Sequence, residues 1–169
     1  MILMGSGDME AVKVKIADLA VLKESGMIIT VGLGSCVGIG LYDDNSRVGG
    51  LAHILLADSA PFKNRDGALN AAKFADTAIP ELIREMERYG GKCRRLQAKI
   101  AGGSQLFAFN KTGISVGEKN INAVRRTLKE LNIPIVGEDV GGNHGRTMRL
   151  FIHNGQVTIT TAGKGEIVL

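Results

Sequence analysis

A thiol and an imidazole lie within one short, strand-like stretch, "ITVGLGSCVGIGLYDDNSRVGGLAHILLADS", from Ile29 to Ser59. Cys36 is set among glycines, and His53 interrupts the next apolar run. A thiolate attacks carbonyl and amide carbons well, but a free cysteine, with a pKa near ~8.5, needs a neighbouring base or positive charge. A histidine can take the thiol proton and later deliver it to a departing amine. Glycines beside the thiol permit a tight turn and leave room for a substrate carbonyl. Backbone N–H groups freed by such a turn can bind a developing oxyanion. The turn cluster "DDNS", Asp43 to Ser46, joins the two strands; centred between Asp44 and Asn45 it sets Cys36 opposite His53. A slip of one residue would put the two on opposite faces. Taken singly, a strand cysteine is a small hydrophobe and a histidine in an apolar run is a core residue with a satisfied ring. Taken as a pair, with glycines around the thiol, they point to nucleophilic catalysis. Spacing alone leaves both readings open.

Other chemistries fit the stretch less well. Gly32, Gly34, Gly38 and Gly40 miss the dinucleotide fingerprint G-x-G-x-x-G, because Val37 stands at its last glycine, and no Gly-Lys-Ser/Thr comes after them to make a P-loop. The chain continues as strand-like "VGIGLYD" instead of a helix whose N-terminus would hold a phosphate. Cys36, Cys93, His53, His144 and His153 do not fall at the close pairwise spacings of structural zinc sites, so neither a metal nor another cofactor is expected. Cys93 comes after "GGK" with no histidine in register and reads as structural. The formal charge of +4 is dispersed and aromatics make up only 4%, which argues against nucleic acid, since that needs a basic stripe and stacking rings. The basic residues read as solvated faces, or as a mild basic surface for an acidic protein partner.

The elements that must hold the pair read as a mixture. With 169 residues the chain is long enough to bury a real core, and it reads as one domain over 1–169. No apolar run approaches the ~20 residues of a membrane span. The opening "MILMGSGDMEAVKVKI" lacks the basic-then-apolar pattern of a secretory signal, so a cytoplasmic protein with two reduced thiols is expected. "VKVKIADLAV", "GMIITVGL", "CVGIGLYD" and "RVGGLAHILL" read as strands in a meander or hairpins. Ala75, Ile79, Leu82, Ile83 and Met86 share one helical face. Gly90 and Gly91 close that helix, and Pro80 inside it marks a kink or the start. "CRRLQAKIAGG" reads as a strand. In a second helix, Ser115 and Glu118 make a capping box and Ile121, Val124, Leu128 and Leu131 form the apolar stripe. "IPIVGEDVGG", "RTMRLFIHNG" and "QVTITTAG" are further strands, with a hairpin turn at His153 to Gln156. Many strands and two main helices, not in strict alternation, give an α+β fold of packed mixed and antiparallel β-layers with two flanking helices.

These residues also carry a family likeness. "TVGLGSCVGIGLYD", "VGGLAHILL", "KFADTAIPELI", "AKIAGGSQLF", "GISVGEKNINAVRRTLKELNIPIVGEDVGG" and "GRTMRLFIHNGQV" resemble the CheD family, the bacterial and archaeal chemoreceptor glutamine deamidases, from about Ile16 to about Ile159. The resemblance implies hydrolysis of glutamine side-chain amides on chemoreceptor cytoplasmic helices to glutamate and ammonia, with glutamyl methyl esters as further substrates of some members. The family's catalytic cysteine matches Cys36, its histidine His53 and its threonine Thr30. Such a Thr30 hydroxyl would hydrogen-bond the imidazole and fix its tautomer, or Thr30 is only a β-branched strand residue. The implied fold is like that of the deamidating cytotoxic necrotising toxins. Family members also bind CheC-type phosphatases through a segment similar to "AGGSQLF", which makes Phe107 the contact candidate unless it plugs the core beneath its loop. The alternative to the deamidase is a non-enzymatic adaptor that regulates such a phosphatase, with Cys36 incidental.

Overall fold

Ten strands and two α-helices make up the computed structural model, which describes residues 9–65, 67–106 and 113–169. The strands are β1 (Ala11–Lys13), β2 (Asp18–Lys23), β3 (Met27–Leu33), β4 (Val37–Asp43), β5 (Val48–Ile54), β6 (Gln97–Gly102), β7 (Ile135–Val140), β8 (Arg146–Phe151), β9 (Val157–Thr161) and β10 (Gly165–Val168). The helices are α1 (Ala75–Arg88) and α2 (Val116–Glu130). One sheet has the order β1-β3-β8-β9-β10 and the other β2-β5-β4-β6-β7. Both are mixed, since β1 with β3 and β6 with β7 run parallel while the other pairs are antiparallel. The α+β reading with two packed β-layers and two helices therefore holds. No helix among the described residues is long and apolar enough to cross a membrane.

The expected strand neighbours need one correction. β4 and β5 form a hairpin, but β3 pairs with neither β2 nor β4; it lies in the other sheet, against β1 and β8. The chain passes from one sheet to the other through Gly34, Ser35 and Cys36. Period-2 alternation then explains the layering. On β4 and β5, Val37, Ile39, Leu41, Val48, Ala52 and Ile54 pack with the apolar faces of α1 and α2. The alternate residues face the first sheet, and Leu51 joins Ile28, Leu33, Met148, Leu150 and Val157 in a second core between the sheets. Every residue of β4 and β5 is buried, as expected of strands covered on both faces.

Glycines set how closely the sheets approach. A Cβ at Gly38 would lie 2.8 Å from Met148 Sδ, and one at Gly49 would lie 2.5 Å from Ile152 Cδ1. Those positions are filled by side chains of the opposite sheet, so the glycines flanking Cys36 on the β4 side serve packing and not the entry of a substrate carbonyl.

The helices obey their sequence patterns. Ala75, Ile79, Leu82, Ile83 and Met86 are all buried on α1, and the helix begins at Ala75 and continues past Pro80 at the loss of one backbone bond. On α2, Ser115 caps by accepting from the Glu118 amide at 3.2 Å, and Ile121, Val124 and Leu128 are buried. "CRRLQAKIAGG" is a strand only from Gln97; Cys93–Arg95 is a 3-10 turn. The cause is Asp43, fully buried at the end of β4. Its carboxylate accepts from the Lys92 amide at 2.9 Å and from Arg95 Nε at 3.0 Å, which pulls this segment off the strand path. Burial would raise the Asp43 pKa, yet the Arg95 guanidinium and the amides of Lys92 and Ser46 hold it at about 2.

Candidate active site

The inter-sheet layer carries all three chemistry-bearing residues expected from the sequence. Thr30 points inward from β3 with Ile28, and a bulge at the next two residues, where pairing with β8 jumps from Thr30 to Leu33, turns Leu33 inward too. His53 points inward from β5 on the same face as Leu51. Because the sheets lie face to face, Thr30 Oγ1 and His53 Nδ1 meet across the layer at 2.7 Å. Cys36, at the crossover between the sheets, belongs to the same inter-sheet cluster and is 5% exposed, while Thr30 and His53 are fully buried.

The hairpin register differs from the one read off the turn. Gly38, not Cys36, stands opposite His53, and Cys36 lies two residues before it, just outside β4. Asp43 pairs with Val48, so the loop is Asp44 to Arg47 and its centre sits one residue later than expected. Arg47, at φ 49°, supplies the left-handed residue that closes it. The discrepancy of two residues preserves the face, so thiol and imidazole still belong to one layer.

The hydrogen bonds around Thr30 decide the histidine tautomer. The Thr30 hydroxyl lies 2.7 Å from the Val14 carbonyl, which can only accept, so its single proton goes there. Toward the ring the hydroxyl can then only accept, and His53 Nδ1 must donate. That leaves Nε2 as the unprotonated nitrogen, and it is buried with no hydrogen-bond partner among the described residues. Burial holds the His53 pKa down at about 4, so the ring is neutral at pH 7. Burial also pushes the Cys36 thiol above its ordinary value, with the residue's own backbone amide pulling the other way. The resting pair is thus a neutral thiol and a neutral imidazole with Nε2 available as a base.

The loop before β4 is held by its carbonyls. Gly34 C=O accepts from the Ser104 amide at 2.8 Å and Cys36 C=O from the Gly103 amide at 2.8 Å. Ser35 C=O accepts from Asn120 Nδ2 at 2.8 Å. The Ser35 amide has no acceptor among the described residues, and the Cys36 amide has none beyond its own Sγ. Gly102 is required here, since a Cβ on it would collide with the Cys36 carbonyl oxygen and its φ is +108°. The "AGGS" stretch therefore has a structural task beneath the cysteine loop. Ser104 is itself braced, accepting from Arg146 Nη1 at 2.8 Å while Arg146 Nε donates to Asp139 at 3.0 Å. Phe107, expected as a partner contact, lies outside the described residues.

Asn120 is a further polar residue beside the site, one that the sequence patterns do not bring forward. It is fully buried on the apolar face of α2 beside Ile121, and its Nδ2 also donates to Leu55 C=O at 3.0 Å. A polar amide on the buried face of α2, a face that Thr127 also shares, is the only and faint signal that could have found it.

Replacing Thr30 by valine keeps the shape and removes the acceptor. The Nδ1 proton then has no partner, and the proton gains freedom to sit on Nε2. The rate of a reaction that uses Nε2 as its base is expected to fall roughly ten- to a hundredfold, with a loss of about 1–3 kcal/mol in urea unfolding from the orphaned groups.

The comparisons with known proteins agree with the likeness seen in the motifs. The family described as CheD chemotactic sensory transduction matches residues 55–161. A probable chemoreceptor glutamine deamidase CheD of Clostridium botulinum (strain Alaska E43 / Type E3) is 50% identical over 160 residues, 94% of this chain and 97% of that protein. A protein of the same description from Moorella thermoacetica is 50% identical over 158 residues, covering 92% of this chain and 93% of that protein. The chain belongs to the CheD family.

Proposed function

We propose that this chain is a chemoreceptor glutamine deamidase with Cys36 as nucleophile, His53 as acid and base, and Thr30 as the residue that positions His53. Its relatives' names supply the substrate, glutamine of a chemoreceptor. The observation that carries the mechanism is the Val14–Thr30–His53 chain of hydrogen bonds, which leaves Nε2 as a buried base in the layer that holds the thiol. The near-closed setting of Cys36 suits a slender side chain whose tip bears the reacting amide.

In this reading Sγ bonds to the carboxamide carbon as the thiol proton passes to Nε2. The carbon–nitrogen bond then breaks while Nε2 returns that proton to the nitrogen, releasing ammonia and leaving a thioester. Water adds to the thioester carbon and gives a proton to Nε2. The carbon–sulfur bond breaks, and the proton returns to Sγ. The balance is one amide and one water giving one carboxylic acid and one ammonia.

The same reading includes one deamidase-like domain over 1–169, a fold relationship to the deamidating cytotoxic necrotising toxins, and a CheC-type phosphatase as a second partner near Phe107. The two packed mixed sheets are consistent with the fold relationship. The experiment is incubation of the full chain with a glutamine-bearing chemoreceptor helix fragment. A mass gain of roughly 1 unit per modified glutamine, matched by ammonia, is expected. Folded protein that leaves every glutamine unchanged overturns the deamidase reading and leaves the adaptor.

A further inference from the structure

The Ser35–Cys36 peptide is the one part of the cysteine loop whose orientation depends on a side chain. The carbonyls on either side of it, Gly34 and Cys36, are held by backbone amides of Ser104 and Gly103. Ser35 C=O is held by Asn120 Nδ2, 2.8 Å away on α2. The peptide is trans, as no cis bond occurs among the described residues. In a planar trans peptide the C=O and the N–H point in opposite directions. Fixing the Ser35 oxygen toward α2 therefore fixes the Cys36 N–H away from α2, and beyond its own Sγ that N–H has no acceptor among the described residues.

Asn120 is unlike a residue kept for stability. It is fully buried, yet its Oδ1 has no hydrogen-bond partner among the described residues, and a half-satisfied buried amide is costly. Its second donor bond goes to Leu55 C=O, two residues past His53, so one amide group ties the strand end that carries the base to the loop that carries the thiol.

We propose that Asn120 is a positioning residue that turns the Ser35–Cys36 peptide so that the Cys36 amide donates to the oxyanion formed when the thiol adds to a substrate carbonyl. The negative oxygen forms on the carbon that Sγ attacks, and the amide of the attacking residue itself is the donor nearest to it in the chain. The neighbouring free amide of Ser35, whose peptide is held by the Ser104 amide, can add a second donor.

The inference rests on the proposed hydrolytic function, and its test separates the two. In the full chain, Asn120→Ala is expected to lower kcat for ammonia release by roughly 10²–10³, the usual loss for one oxyanion donor, with KM within about threefold. Alkylation of Cys36 by iodoacetamide displaces iodide at a saturated carbon and builds no oxyanion, so its rate should stay within about threefold of wild type. A kcat near wild type in folded Asn120→Ala overturns the proposal. So does an alkylation rate that falls in parallel with kcat, which would mean the loop has collapsed or the thiol has lost its base. A second arm uses the unmutated chain. A peptide bearing the aldehyde that corresponds to glutamine adds the thiol across its C=O, sulfur to carbon and proton to oxygen. The Cys36 amide proton should then shift downfield in the nitrogen-15 spectrum. An unmoved Cys36 amide in the formed adduct overturns the proposal, whether or not Asn120→Ala folds and whether or not glutamine proves to be the substrate.

Discussion

Cys36→Ala is expected to abolish ammonia release, a loss of at least ~10⁴-fold, while leaving the fold in place. The proposed mechanism needs an atom that bonds covalently to the carboxamide carbon, and alanine offers none. The structural cost is small because only one sulfur leaves the inter-sheet cluster, roughly 1 kcal/mol. Cys36→Ser should be nearly as inactive, since a serine hydroxyl is far harder to ionise than a thiol and His53 is a weak base in its buried setting. Cys93→Ala separates the site from thiol chemistry in general. Cys93 lies in the 3-10 turn before β6, and burial together with the nearby Glu87 carboxylate pushes its thiol up. Its loss should leave the rate unchanged, and prior alkylation should inactivate wild type and Cys93→Ala alike. Mass spectrometry of the substrate and circular dichroism of each variant make the check. A folded Cys36→Ala that still converts glutamine at an appreciable rate would end the covalent mechanism.

What is legible in the sequence and what is not divides along physical lines. The apolar faces of α1 and α2 are legible because helical periodicity depends on near neighbours, and the residues named from it are buried except Leu131, which caps the C-terminus of α2 and is half-buried. The Cys36–His53 relation is legible as to face but not as to register. Period 2 survives a shift of two residues, whereas the position of the turn depends on which residue takes the left-handed conformation, here Arg47. That β3 belongs to the opposite sheet is not legible, because sheet membership is a matter of long-range pairing that local strand propensity does not encode. The contact of Thr30 with His53 depends on that membership; the family likeness implies it, and it is a measurable bond only once the sheets are stacked. The strand β10 is hidden in the sequence, being four exposed residues with no alternation to betray it. Asn120 is hidden for a different reason: the stripe of α2 declares itself through its apolar residues, and a single amide among them does not alter the period.

His53→Ala is expected to cost roughly 10³-fold or more in kcat at pH 7, more than Thr30→Val, because it removes the group that moves the proton and not the group that orients it. The pH dependence is the sharper test. The proposed reaction needs unprotonated Nε2, and burial holds the His53 pKa at about 4. The acid limb of kcat/KM should therefore lie near pH 4, well below the ~6.5 of an ordinary histidine. Stability carries the same signature with a definite sign. The folded chain resists protonation of His53 while the unfolded chain accepts a proton near ~6.5, so acidification favours unfolding. The contribution is fully present above about pH 6.5, is lost as pH falls toward 4, and is worth about 3 kcal/mol. Urea titrations of wild type and His53→Ala across about pH 4 to 7 isolate it, since the variant lacks this histidine and should show a correspondingly flatter dependence. An acid limb near ~6.5, or parallel stability curves for the two proteins, would mean that His53 is readily charged in the folded chain. Burial would then not govern the titration of His53, and the acid limb near pH 4 argued from it would be wrong.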